Sequence, residues 1–291
     1  VEIQPLSIDG GVKRNEYVGT HTYSGPLPFY IISMSDPNRN AGICNMSNSV
    51  NVPFYLEDTL RIYDPSLFGP NSSPELLYPP IDFGNVNDTF YHNPGAFDVD
   101  GDSLSFQLIA PLQSQGFPAP NFVQPDQISP GFDNNISIDP VTGELIWAVP
   151  KQPCIYNIAI LITEWRNGVK MGTMIRDMQI FIQDQPNDPP QIAELRDTCI
   201  VAGSQLTINV TATDPNNDIV TLTAVGGPLF LANSPATFPG DSGAPPVSSI
   251  FNWNTNCNHI RKQFYEVIFR AQDNFVSSTN QPIPLVDLET W

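Results

Sequence analysis

Asp98, Asp100 and Asp102 stand at alternate positions of one short stretch, with Gly101 between the last two. Gly101 permits the sharp turn that lets the three side chains converge. Hard oxygen ligands crowded in this way suit Ca²⁺, which takes six to eight of them, and without a cation they repel one another. The plainer alternative is a solvated acidic β-turn between two strands. Asp214, Asn216 and Asp218 hold the same positions at an offset of 116 residues (214 minus 98), with an amide replacing one carboxylate. That second loop is expected to bind more weakly, or to be only a turn closed by Asx hydrogen bonds. Asp188 adds a seventh candidate metal ligand from a proline-rich stretch, with Asp184 and Asn187 beside it. Glu164 and Asp273, each closing an apolar strand, are weaker candidates. For these last five, ordinary polar loop residues are the plainer reading.

The remaining chemistry-bearing residues point to no reaction. His21, His92 and His259 lie in three different regions and read as structural. Neither a nucleophile elbow nor a phosphate-binding glycine loop is present, and no catalysis is expected. A glycosidase needs only two carboxylates, but here the acids cluster in turns of small modules where a deep cleft is hard to build. Trp147 and Trp253 sit at equivalent positions of apolar runs and read as core; Trp165, beside a hairpin tip, is the residue to test for sugar stacking. Asn-x-Ser/Thr sequons at Asn45, Asn71, Asn87, Asn135 and Asn209 suggest glycans only if the protein is a eukaryotic secreted one. The four cysteines are too widely spaced for a zinc motif, which leaves two disulfides or four buried thiols. Cys199 and Cys257 both fall in the last part of the chain and are expected to pair across a sandwich. Cys44 and Cys154 then form the other pair, joining the first part to the second.

The elements that must position these residues are strands. Thirty prolines in 291 residues is about twice ordinary usage and breaks helices. Short runs of Val, Ile, Thr, Phe and Tyr recur between Pro, Gly, Asn and Asp clusters, the pattern of an all-β sandwich protein. The clearest hairpin runs from Ile155 to Gln183 around Trp165-Arg166-Asn167-Gly168, where Asn-Gly supplies the positive φ angles of a tight turn. Asp139-Pro140-Val141-Thr142-Gly143 separates a second pair of strands. Two stiff linkers, Gly69 to Pro74 and Gln183 to Pro190, divide the chain into modules 1–73, 74–188 and 189–291 and are expected to hold neighbours apart. The stretch from Ala96 to Phe106 aligns with Ala212 to Leu222, and Leu145-Ile146-Trp147 with Phe251-Asn252-Trp253, so the second and third modules read as copies of one unit.

A formal charge of −18 repels nucleic acid and anionic membrane surfaces. No run of 18 apolar residues offers a membrane span. Val1 is followed by no signal-peptide pattern, which fits a processed protein or a piece of a longer one.

The Ala96 to Leu104 stretch, Ile138-Asp139-Pro140-Val141-Thr142-Gly143-Glu144-Leu145 and the Asn187-Asp188-Pro189-Pro190 linker resemble cadherin-like repeats. That resemblance implies Ca²⁺ held by Asp98, Asp100 and Asp188 and a stiffened rod; Asn216 departs from the pattern. A closer resemblance covers most of the chain. Tyr17 to Tyr23, Asp36 to Ile43, Tyr91 to Ala96 and Glu164-Trp165-Arg166-Asn167-Gly168 are similar to the gliding-motility-associated surface proteins of Bacteroidetes exported by type IX secretion. This implies a secreted or surface-anchored, repeat-built adhesin, of which these residues are an interior fragment. The combined expectation is an all-β chain of tandem immunoglobulin/cadherin-like β-sandwich modules in an extended array, a non-catalytic adhesin or filament segment at the bacterial surface. Its cofactor is structural Ca²⁺, and its partners are other modules of the same longer chain and surface glycans or proteins. The alternatives are an accessory carbohydrate-binding region of a secreted polysaccharide-degrading enzyme and a passive stalk.

Overall fold

The computed structural model describes residues 2–8, 12–23, 25, 29–278 and 280–291, with the backbone path alone at 2–8, 12–14 and 16. It is an all-β protein of tandem sandwiches. Its central element is the expected hairpin, with strands Cys154–Arg166 and Val169–Gln183 paired from Cys154↔Ile182 to Arg166↔Val169. Asn167 (φ 52°) and Gly168 (φ 80°) form the two-residue turn, the left-handed pair that matches the twist of the strands. Strand Ser103–Ile109 adds to one edge of the hairpin. On the other edge, Phe54–Leu60 pairs antiparallel at Gly172–Met174 and Ile81–Asn85 pairs in parallel further along.

A three-stranded sheet of Ile136–Ile138, Leu145–Trp147 and Phe90–His92 lies across from this larger one. Trp147, Tyr156, Ile158, Ile160, Ile162, Met178 and Ile180 fill the space between them. Alternate residues of one long strand, 156 to 162, thus face a single core, as the period of two requires. The second sandwich packs Gln191–Ile192, Gln205–Thr213 and Val247–Asn254 against Asp241–Gly243, Val220–Gly226, Val267–Gln272 and Val286–Thr290. Its core holds Val210, Leu222, Phe251, Trp253 and Phe269. Trp147 and Trp253 are buried in the two cores.

The strands Tyr30–Asp36 and Phe54–Leu60, which the division at 73 assigns to a separate module, are paired to each other and into the large sheet of the first sandwich. The backbone hydrogen bonds of an edge strand are satisfied here by the neighbouring sheet, and that outweighs the proline-rich punctuation at 69–74. The Cys44–Cys154 disulfide ties the same region to the hairpin. Cys199 and Cys257 are not paired: both are exposed thiols. Cys199 lies in a segment without regular structure and Cys257 opens a short 3-10 turn at Cys257–His259, so neither projects from a strand into the sandwich as the expected pairing requires.

The second linker does not keep the sandwiches apart. Tyr78, Tyr91 and Val225 pack on Ile268, Val286 and Leu288, Phe97 stacks on Phe230, and Asn93 Nδ2 donates to Thr290 Oγ1 at 3.4 Å.

The disulfide closes a loop of 110 residues, for which chain entropy gives about 4–5 kcal/mol. Cys44→Ser or Cys154→Ser is therefore expected to lower the thermal midpoint by several degrees under non-reducing conditions. Cys199→Ala/Cys257→Ala should leave it unchanged, and thiol titration of the unfolded wild-type chain should count two free cysteines.

Candidate metal centre

Both sandwiches carry the same acidic loop at the same place. The first follows strand Ala96–Phe97 and leads into Ser103–Ile109; the second follows Gln205–Thr213 and leads into Val220–Gly226. Asp98 Oδ1 accepts the N–H of Asp102 at 2.9 Å. Asp214 Oδ1 accepts the N–H groups of Asn216 and Asp218 at 2.9 and 3.0 Å. The left-handed residue that closes each loop is Gly101 (φ 81°) in one and Asn217 (φ 62°) in the other, the two residue types that visit this region at least cost. The first aspartate of each loop therefore spends one oxygen on the turn. Its other oxygen, Oδ2, is buried without a hydrogen-bond partner in both loops.

A third carboxylate arrives from the neighbouring strand. Leu104 pairs with Glu164, and Thr221 with Gln272, so Asp273 is the positional counterpart of Glu164. Carboxylate oxygens of Asp98, Asp102 and Glu164 lie within 4.8 Å of one another. Glu164 is 2% exposed and its Oε1 has no hydrogen-bond partner.

The preceding linker completes each site. Ser72 N–H donates to Asp100 Oδ2 at 2.6 Å, and Asp188 N–H to Asn216 Oδ1 at 2.8 Å. Asn71 Oδ1 accepts from Arg166 Nη2 at 2.8 Å, and Asn187 Nδ2 donates to Asp273 Oδ2 at 2.8 Å, leaving Asn187 Oδ1 buried and unpartnered. Asn71-Ser72 and Asn187-Asp188 stand 116 residues apart (187 minus 71), so the repeat extends into the linkers.

Burial is the main cause of the raised acid pKa values. It lifts Glu164 to about 8, helped by its hydrogen bond to Asp102, and Asp98 to about 6, with Asp102 and Asp100 adding to the effect. Asp273 rises to about 6 for the same reason, and burial with the nearby Asp214 raises Asp218. Buried carboxyls pressed together either hold protons or surround a cation. Their orphaned oxygens, the acceptor-only chemistry and the amide oxygen of Asn187 fit a hard divalent ion such as Ca²⁺.

Of the residues picked from sequence, Asp98 and Asp102 converge, while Asp100 turns to the linker amide. Asp214, Asn216, Asp218 and Asp188 gather at the second loop, and Asp184 is exposed away from these contacts. Glu164, Asp273 and Asn187, ranked low from sequence, supply the buried part of the sites. Asn71, Ser72 and Arg166 are not among the candidate ligands from sequence; carrying the 116-residue offset upstream of Ala96 finds the first two. Trp165 is half-buried with its indole N–H bonded to Ser105 Oγ at 2.9 Å. His92 is buried against Asp82 at 3.2 Å, and His259 caps its own turn.

No protein-family model matches the chain and no curated protein matches it. Among solved structures it is similar to a three-repeat fragment of human CDH23 (18% identity, TM-score 0.23, covering 75% of this chain and 68% of that one). It is also similar to repeats EC1-3 of mouse protocadherin-24 (13%, 0.26, 91% and 79%) and to a tandem pair of titin Ig domains (9%, 0.22, 76% and 96%). Scores this low carry no residue-level correspondence. Among the described residues no helix is long and apolar enough to cross a membrane.

With the Glu164 pKa near 8, the folded state keeps a proton that the unfolded chain has released at any pH between the ordinary carboxyl range and that value. Stability through this group therefore falls as pH rises across the window. In EDTA the thermal midpoint is expected to drop between pH 5 and pH 8, and Glu164→Gln to reduce that slope. An unchanged slope in the variant would assign the dependence to other acids.

Proposed function

We propose that this chain is a non-catalytic segment of an extracellular adhesin or filament, in which Ca²⁺ neutralises the buried carboxylates at the head of each sandwich. The observation that carries this reading is the set of buried, unpartnered oxygens at both loops: Asp98 and Glu164 at one sandwich, Asn187 and Asp214, beside Asp218 and Asp273, at the other. Ca²⁺ supplies charge neutralisation and a many-armed bridge, and the chain supplies oxygens from a linker, a loop and a strand end. Turns under no functional demand would not need buried, unpartnered carboxylates at both copies. The similarity of the Glu164-Trp165-Arg166-Asn167-Gly168 and Tyr91 to Ala96 stretches to Bacteroidetes gliding-motility-associated proteins favours a bacterial outer-surface location and type IX export. On this reading its neighbours are further modules of a longer chain, and its exposed loops meet surface glycans or proteins.

The test is a thermal melt in millimolar Ca²⁺ and in EDTA. A ligand at a hundredfold excess over its dissociation constant adds about 2.7 kcal/mol, which for domains of this size is a rise of roughly 5–10 °C. Asp214→Asn/Asp273→Asn and Asp98→Asn/Glu164→Gln should each remove part of the rise. Equal midpoints in Ca²⁺ and EDTA for the wild type would leave the loops as plain turns and end the metal reading.

A further inference from the structure

The two heads are not chemically equal, and the difference is one arginine. Arg166, two residues beyond Glu164 at the hairpin tip, lies in the oxygen set of the first head. Its Nε and Nη2 bind the two carboxylate oxygens of Asp102, each at 2.7 Å. Nη2 also donates to Asn71 Oδ1 at 2.8 Å and stands 3.5 Å from Asp100 Oδ2. Nη1 donates to the main-chain oxygens of Phe68 and Pro70 at 2.6 and 2.8 Å. Six oxygens from the linker and the acidic loop thus surround a guanidinium, where the same set would otherwise suit a divalent ion. Asp102 holds that guanidinium firmly in its charged form.

Among the described residues the second head has no such group. Counting on from the register that makes Asp273 the counterpart of Glu164, the position of Arg166 is taken by Phe275. No arginine or lysine pairs with Asp188, Asp214, Asp218 or Asp273 among the described residues. The linker carbonyls there, Gln185 and Asn187, accept instead from Asn85 of the preceding sandwich, both at 2.9 Å. Asn187 Oδ1 and Asp214 Oδ2 remain buried and unpartnered.

We propose that Arg166 is a built-in cation that ties the 68–72 segment to the Asp100/Asp102 loop without metal, so that divalent-dependent fixing of a linker belongs to the second head, at 184–188. The half concerning the second head rests on the Ca²⁺ reading above; the half concerning Arg166 does not. Asp98 and Glu164 keep their free oxygens beside the guanidinium, so the first head still has room for one ion, but the linker there does not wait for it. The expected ranking of the two loops is thereby inverted: the loop with three carboxylates is the less dependent on metal.

Two equivalent amides report on this, Ser72 N–H on Asp100 and Asp188 N–H on Asn216. Amide hydrogen exchange of the full chain, wild type and Arg166→Met, would be followed in Ca²⁺ and in EDTA, with circular dichroism to confirm that the variant is folded. In the wild type, EDTA should leave exchange at Ser72 unchanged and speed exchange at Asp188 by about tenfold or more, since local opening sets the rate. In Arg166→Met, exchange at Ser72 should rise to a similar degree in EDTA and be slowed again by Ca²⁺. Ser72 exchanging fast in wild-type EDTA, or slowly in Arg166→Met EDTA, would overturn the role of Arg166. If Asp188 ignores Ca²⁺ while Arg166→Met still frees Ser72, the arginine tether stands and the Ca²⁺ reading of the joints falls.

Discussion

The pairing of Cys154–Arg166 with Val169–Gln183 is the constraint on which the rest of the molecule depends. Its inner face supplies the core of the first sandwich, and its two edges receive strands from 30–60, 81–85 and 103–109. At one end Cys154 anchors the disulfide; at the tip Glu164 and Arg166 are delivered into the first acidic loop; beyond Gln183 the chain enters the linker of the second. A slip of one residue in this register would exchange the faces of Glu164 and Trp165 and of every core residue from Tyr156 to Ile162. The acidic cluster at the first head and the hydrophobic core are therefore set by one choice of register.

The electrostatics follow from that placement. A chain with thirty acidic and twelve basic residues has few cations to spend inside, and it places them at particular points. Arg39 is buried in an ion pair with Asp177 at 2.8 Å, Arg270 of the second sandwich reaches Asp82 of the first at 3.6 Å, and Arg166 occupies the first head. Buried charges are tolerated only when paired, and among the described residues no ion pair joins a basic side chain to the carboxylates of the second head. Direct packing of Tyr78 and Tyr91 on the second sandwich fixes the pair of domains independently of any ion.

Much of this was legible in the sequence because its signals are local. Asn167-Gly168 specifies a tight hairpin through positive φ, alternation from Tyr156 to Ile162 specifies a buried face, and the Asp98 and Asp214 loops declare themselves by spacing. The repeat is visible in the loops, at an offset of 116, and in the order of the later strands and tryptophans, and the 116-residue offset extends into Asn71-Ser72 and Asn187-Asp188. What was not legible is non-local. The expected Cys44–Cys154 pair is present, but the expected Cys199–Cys257 pair is not, because both residues lie on segments that never enter the sandwich.

The sequence by itself determined the all-β class, the hairpin, the two acidic turns and the doubled unit, because dihedral preference and the period of two act over a few residues. Only the tertiary structure decided that residues 30–60 join the first sandwich, that Glu164 and Asp273 complete the loops, and that Arg166 fills one head while Phe275 leaves the other open. Those outcomes depend on strand register and on which buried charges meet, and the energy of such meetings is set across about a hundred residues of intervening chain.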